Sequence, residues 1–254
     1  MGDADIRQLL ERGLELHRAG RRADAEEHYR RALAAAPNNP DALHLLGLAA
    51  HEAGRAAEAL EMIDRASAAE PMRPAYHKHA GLALLALGRT EASAARLRRA
   101  IRLRPDDAEA HNHLGTVLRE LGRPAEAFAS YKEALRLAPG YAAAALNLGN
   151  VLAEDGRGDE ALACHLRARS LESKPQFRRA FVLAFRGALF DDVRGIASDP
   201  ALFELTLRSL VDPWARPADL SRGVVRLLAT RPAIRNAIEC AHAAWPRRPG
   251  LAQL

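Results

Sequence analysis

The chain is nearly without lysine: 3 Lys stand against 34 Arg in 254 residues. Aromatic residues make up only 5%. The two cysteines, Cys164 and Cys240, are too few and too far apart for a disulfide framework or a zinc signature. No run of about 18 apolar residues occurs, so no membrane-spanning helix and no membrane insertion are expected. The segment Met1 to Leu10 carries Asp3, Asp5 and Arg7 and has no apolar stretch, so no secretory leader is expected and the default location is the cytoplasm. There is no G-x-S-x-G, P-loop, H-E-x-x-H or paired-cysteine motif, and no strand precedes Gly156-x-Gly158 to make it a dinucleotide fingerprint. The reading is therefore a non-enzyme without a cofactor.

What is abundant is alanine, the commonest residue of the chain. A chain that is 48% hydrophobic and 27% charged is globular rather than disordered. Much alanine with few aromatics points to thin, closely packed helices and away from a β-sandwich. Alanine and arginine rise together, as in GC-rich coding sequences, so only part of the arginine content reads as selected for contacts. The charge is unevenly placed. Residues 1–175 hold 25 basic and 25 acidic residues, whereas residues 176–254 hold 12 Arg and 7 acids, which is the whole excess of +5.

The organisation follows from repeats. Gly13, Gly47, Gly81, Gly115 and Gly149 recur with a fixed period of 34. Gly20, Gly54, Gly88, Gly122 and Gly156 form a second series, each followed by Arg. Ala32, Ala66, Ala100, Ala134 and Ala168 form a third. Pro37, Pro71, Pro105 and Pro139 form a fourth, which lapses at Ser173 with Pro175 two residues late. Gly20 and its equivalents fall where a helix ends on a left-handed residue. The prolines stop the second helix of each unit. The small residues let two helices approach, with a larger one such as Ile63 filling the gap. Each unit is thus a helix–turn–helix hairpin that cannot bury its apolar face alone, so neighbouring units must stack.

These registers resemble the tetratricopeptide repeat. Its small, alanine, aromatic, alanine and proline positions match Gly13, Ala25, Tyr29, Ala32 and Pro37 in the first copy and Gly115, Ala127, Tyr131, Ala134 and Pro139 in the fourth. Ser93 departs from the alanine, and Ile63, Leu97 and His165 depart from the aromatic. The resemblance implies an all-α, right-handed α-solenoid of five repeats, at 6–39, 40–73, 74–107, 108–141 and 142–175, forming one domain over 1–175. In the family the first helix of each repeat lines a concave groove. Carried over, that groove shows Asp41, His44, Leu45, Leu48, His51 and Glu52, then Lys78, His79, Leu82 and Leu85. It continues with Glu109, Asn112, His113, Thr116, Arg119 and Glu120, then Asn147, Asn150 and Glu154. The implied function is a protein-interaction scaffold with a protein or peptide partner, the apolar side chains providing area and the Asn amides bonding backbone. The alternative for each of these residues is a solvated helix face.

Other constellations weigh less. The family's two-carboxylate clamp for a peptide C-terminus is not assembled: Asn147 fits one position, but the following basic positions fall at Phe177 and Phe181. An acidic C-terminal ligand is therefore disfavoured. His77-x-His79 and His111-x-His113 are two residues apart, which on a helix points them roughly 200° apart, so neither pair chelates one ion and no metal site is expected. His165 is read as packing in place of the aromatic. Arg157-Gly158-Asp159 spells an adhesion tripeptide, but it lies in a turn where glycine and charge belong.

After Pro175 the registers stop while helical patterns continue. Phe177, Phe181, Val182, Phe185 and Leu189 mark an amphipathic helix, read as a cap on the last repeat. Asp199-Pro200, Arg216-Pro217 and Thr230-Arg-Pro232 open three more, so residues 176–254 are expected to be a small all-α extension. The stretch Val211 to Leu220 resembles the helical linker of bacterial proteins that join tetratricopeptide repeats to a methyltransferase. That resemblance implies a second function, a non-catalytic portion that recruits substrate for a methyltransferase or glycosyltransferase. A third and weaker alternative is nucleic-acid binding through Arg178, Arg179, Arg186, Arg247 and Arg248 of the basic last third; acids interleave them and no stacking platform accompanies them, which disfavours a nucleic-acid partner.

Overall fold

A computed structural model of the chain describes residues 2–172 and 176. The described residues form ten α-helices and no strand, in agreement with the all-α expectation. They are α1 (Asp3–Arg18), α2 (Arg22–Ala35), α3 (Pro40–Glu52), α4 (Ala56–Ala69), α5 (Pro74–Ala86), α6 (Thr90–Leu103), α7 (Ala108–Glu120), α8 (Pro124–Leu137), α9 (Ala142–Glu154) and α10 (Gly158–Leu171). Each odd-numbered helix packs on the even-numbered helix that follows it, which makes five hairpins. None of these helices is long and apolar enough to cross a membrane.

The chain divides into two compact units, Met1–Pro139 and Gly140–Leu254. The first holds α1 to α8. Its four hairpins stack in chain order, α2 on α3, α4 on α5 and α6 on α7, as a helical solenoid. The second holds the fifth hairpin, α9 on α10. The division thus falls between the fourth and fifth repeats, whereas the sequence period runs on to 175. The expected cap and extension at 176–254 lie outside the described residues, Gln176 excepted.

Each hairpin is built by the same two devices. At the end of every first helix a glycine takes a positive φ, from +70° at Gly122 to +78° at Gly54. There the Gly54 amide donates to the His51 carbonyl and the Arg55 amide to the Ala50 carbonyl, a Schellman closure that satisfies the last carbonyls of the helix. The arginine after the glycine precedes the next helix and reaches its first turn: Arg21 meets Asp24 at 2.6 Å, Arg55 meets Glu58 at 2.8 Å and Arg157 meets Glu160 at 2.7 Å. These pairs are half exposed and fix orientation more than they add stability. The second device is a close approach inside the hairpin. A Cβ on Gly47 would lie 2.7 Å from Ile63, and one on Gly115 would lie 2.6 Å from Tyr131. Tyr29, Ile63, Leu97 and Tyr131 fill the space left by Gly13, Gly47, Gly81 and Gly115, in that order, and are fully buried. Each contributes about 2 kcal/mol of apolar burial.

Candidate functional site

The site begins with helix periodicity. His44, Leu48 and His51 are spaced i, i+4, i+7 and share one side of α3. Lys78, His79 and Leu82 occupy the equivalent side of α5, and Asn112, His113, Thr116 and Arg119 that of α7. These three helices pack in order, α3 against α5 and α5 against α7, within the first unit. His44, Leu48, His51, His79, Leu82, His113, Thr116 and Arg119 are half-buried, as are Leu45 and Leu85. Asp41, Glu52, Glu109 and Glu120 are exposed. Asn112 is only 5% exposed and offers little surface to an incoming chain. Asn147 and Asn150 are half-buried and Glu154 exposed on α9, in the second unit.

The structure joins several of these residues across repeats. The His44 Nε2 and His79 Nδ1 atoms share one hydrogen bond of 2.7 Å, and the rings meet edge to edge with centroids 4.9 Å apart and planes 25° from parallel. The His44 ring also tilts against Tyr76, with centroids 4.7 Å apart. Burial pushes His44 down to about 4 and His79 to about 3. The neighbouring positive charge of Lys78, and for His79 the other histidines His44, His113 and His51, act in the same direction. His113 is lowered too, first by burial and then by Lys78, against the opposing pull of Glu109. His44, His79 and His113 are therefore neutral at neutral pH.

The charged groups around the histidines are committed to one another. Lys78 is 9% exposed, and its Nζ lies 2.6 Å from Glu109 Oε2 and 3.2 Å from Asp107 Oδ2. Asp107 also caps α7, its Oδ1 accepting the Ala110 amide at 2.9 Å. Burial alone would raise the Asp107 carboxyl, but the Ala110 amide and the Lys78 ammonium hold it below the usual range. Asp41 accepts the Tyr76 hydroxyl at 3.1 Å and an Arg73 N–H at 3.3 Å. Glu52 sits 3.0 Å from His17 and 2.9 Å from Arg22. At the far end of the α7 side stand Arg119 and Glu120, one of each sign. Thr116 donates to the Asn112 carbonyl and accepts the Tyr131 hydroxyl.

The two His-x-His motifs are split as helix geometry requires. His77 Nε2 donates to the Pro71 carbonyl at 2.8 Å and His111 Nε2 to the Pro105 carbonyl at 3.0 Å, while His79 and His113 turn to the other side. Among the described residues no three His, Cys, Asp or Glu side chains are arranged to hold a metal ion. His165 packs against Gly149 where the repeat elsewhere has Tyr29 or Tyr131, and its Nδ1 is buried without a partner. Arg157 of the adhesion-like tripeptide pairs with Glu160.

Sequence reasoning missed the His44–His79 bond, the Lys78–Asp107–Glu109 set and the Asp41–Tyr76 bond. A signal for two of them was present. His44 to His79 and Asp41 to Tyr76 are both 35 residues apart, one more than the repeat.

Two profiles of the tetratricopeptide repeat match the chain, one over residues 79–142 and the other over residues 16–83 and 118–179. Among curated proteins no relative matches significantly by sequence. Several solved structures are similar. A thermophilic TPR protein of Thermus thermophilus is 28% identical with a TM-score of 0.61, covering 70% of this chain and 98% of its own. MamA is 25% identical with a TM-score of 0.56, covering 63% and 94%. PilF of Pseudomonas aeruginosa, at 23% identity, shares the fold with a TM-score of 0.67 over 82% of this chain and 92% of its own. The profile matches end at residue 179, so the resemblance of Val211 to Leu220 to a methyltransferase linker has no counterpart among them. Five hairpins closed by the same glycine and packed through the same glycine–large pair, together with these matches, establish that the chain belongs to the tetratricopeptide repeat family.

Proposed function

We propose that the chain is a non-catalytic protein-interaction scaffold that binds a polypeptide along the side of α3, α5 and α7, which in this family lines the concave groove. Tetratricopeptide repeats serve in general as protein-interaction modules, and the step from fold to this surface is analogy. One observation carries the placement. Leu48, Leu82 and Thr116, with His44, His79 and His113, are half-buried in a row across three consecutive first helices. That row combines apolar area with polar atoms able to bond a backbone.

The test is affinity capture of a partner by the full chain, followed by calorimetric titration of that polypeptide. The double variant Leu48→Asp/Leu82→Asp is expected to weaken binding by at least about tenfold. The variant Arg102→Glu, at an exposed position of α6, is expected to bind as the parent does. Equal affinity in the double variant, with its helical signal intact, overturns the proposal.

A further inference from the structure

We propose that the occupant of the α3–α5–α7 side is a polypeptide segment with uncharged side chains, and that the His44–His79 pair reads its backbone by offering one donor and one acceptor. This rests on the binding surface proposed above and names its ligand class.

The shared bond leaves the pair with one outer donor and one outer acceptor. The 2.7 Å contact between His44 Nε2 and His79 Nδ1 requires that one of these two atoms, and not both, carries the proton. If His44 Nε2 donates, His44 Nδ1 is a bare acceptor, and His79 carries its proton on Nε2. If His79 Nδ1 donates, His79 Nε2 is the bare acceptor, and His44 carries its proton on Nδ1. Either way the two outer nitrogens present one N–H and one lone pair. A peptide unit needs that complement, one acceptor for its N–H and one donor for its C=O. Neither outer nitrogen meets a partner among the described residues, and neither is sealed from solvent as His51 Nδ1 is. The pair is held in place by its shared bond and by the Tyr76 ring packed against His44. It is also held neutral, since burial keeps both rings from protonating near pH 7.

The uncharged class follows from charge. A charged ligand side chain needs an opposite charge to replace the water it loses. On this side the charges are already used: Lys78 by Asp107 and Glu109, Asp41 by Arg73 and Tyr76, and Glu52 by His17 and Arg22. Arg119 and Glu120 lie at the far end of α7 and are of opposite sign. The middle of the surface, between Leu48 and Thr116, is imidazole, leucine and hydroxyl. Apolar and amide side chains match it, and a carboxylate or an ammonium has no partner there.

The experiment is selection of a random phage-displayed dodecapeptide library on the immobilised full chain, with titration of the enriched peptides. Enriched peptides are expected to share an uncharged core. Their affinity for the parent is expected to change less than about twofold between low and high salt, because no ion pair forms. In His79→Phe, which keeps a ring and removes the nitrogens, affinity is expected to fall about tenfold. Peptides that share an acidic or basic core, or that weaken steeply with salt, overturn the inference; the salt readout uses the parent chain and does not depend on how a variant folds. Affinity unchanged in a folded His79→Phe variant but lost in Leu48→Asp/Leu82→Asp also overturns it while leaving the binding surface standing. Peptides that bind the double aspartate variant as well as the parent, or no enrichment at all, overturn both.

Discussion

Gly115 and Gly122 belong to the same hairpin, and different forces hold them. A Cβ on Gly115 meets the Tyr131 ring at 2.6 Å, whereas one on Gly122 meets nothing but sits at a φ of +70°. Gly115→Ala is expected to cost about 1–3 kcal/mol by overpacking. Gly122→Ala is expected to cost about 1 kcal/mol of backbone strain. Urea unfolding midpoints measure both, and a Gly115→Ala variant as stable as the parent contradicts the close approach. His165 gives the converse case. It faces Gly149, its Nδ1 is orphaned, and burial pushes it down to about 4. His165→Tyr, which installs the residue that faces Gly13 and Gly115, is expected to raise the unfolding midpoint, more at pH 5 than at pH 7. An unchanged or lowered midpoint contradicts this. Both roles of glycine were legible in the sequence, because each recurs once per repeat and each large partner follows its glycine at a constant spacing. Which of Tyr, Ile, Leu or His fills a given gap was visible too. That the His165 ring would leave a nitrogen unsatisfied was not, since the sequence does not show what else surrounds it.

Between helices, three contacts join positions that a column of equivalent residues does not line up. Equivalent residues are 34 apart, yet the bonds His44 to His79 and Asp41 to Tyr76, and the pair His17 to Glu52, join residues 35 apart. A separation of 35 joins a position on one first helix to the position one residue further along the next, so these contacts run diagonally. The sequence therefore placed the histidines on one side of their helices but did not pair them. The Lys78–Asp107 pair was hidden for another reason: Asp107 precedes α7 and lies outside the face that the repeat assigns to the groove. Asp107→Ala removes a cap and leaves Lys78, 9% exposed, with Glu109 as its remaining partner. A loss of about 2–4 kcal/mol is expected by chemical denaturation, and a loss below about 1 kcal/mol contradicts the double role. The histidines also set a pH dependence. Folding lowers His44 to about 4 and His79 to about 3, whereas in the unfolded chain both titrate near 6.5. As pH falls below 6.5 the unfolded chain takes up protons first. Stability is therefore full above that value and declines from 6.5 down through about 4 for His44 and about 3 for His79. Each histidine contributes roughly 1 kcal/mol per pH unit in that window. The midpoint in urea is expected to fall between pH 7 and pH 5, and a flat profile contradicts neutral, buried imidazoles.

At the scale of the whole molecule the sequence separates a charge-balanced stretch of repeats, residues 1–175, from a basic remainder carrying the net +5. The all-α class and the five hairpins were readable because small-residue spacing and turn glycines are local signals. The division at 139 and 140 was not readable, because the repeat period passes through it without a break. The proposed surface lies on α3, α5 and α7, within the first unit. Its central claim is that a polypeptide lies along these helices. Site-specific photo-crosslinking tests this most directly: a photoreactive phenylalanine analogue replaces Leu82 on α5 or Arg102 on α6, in the full chain with its captured partner. The account predicts a crosslinked polypeptide from position 82 and none from position 102. Crosslinking from position 102 with none from position 82 would contradict it.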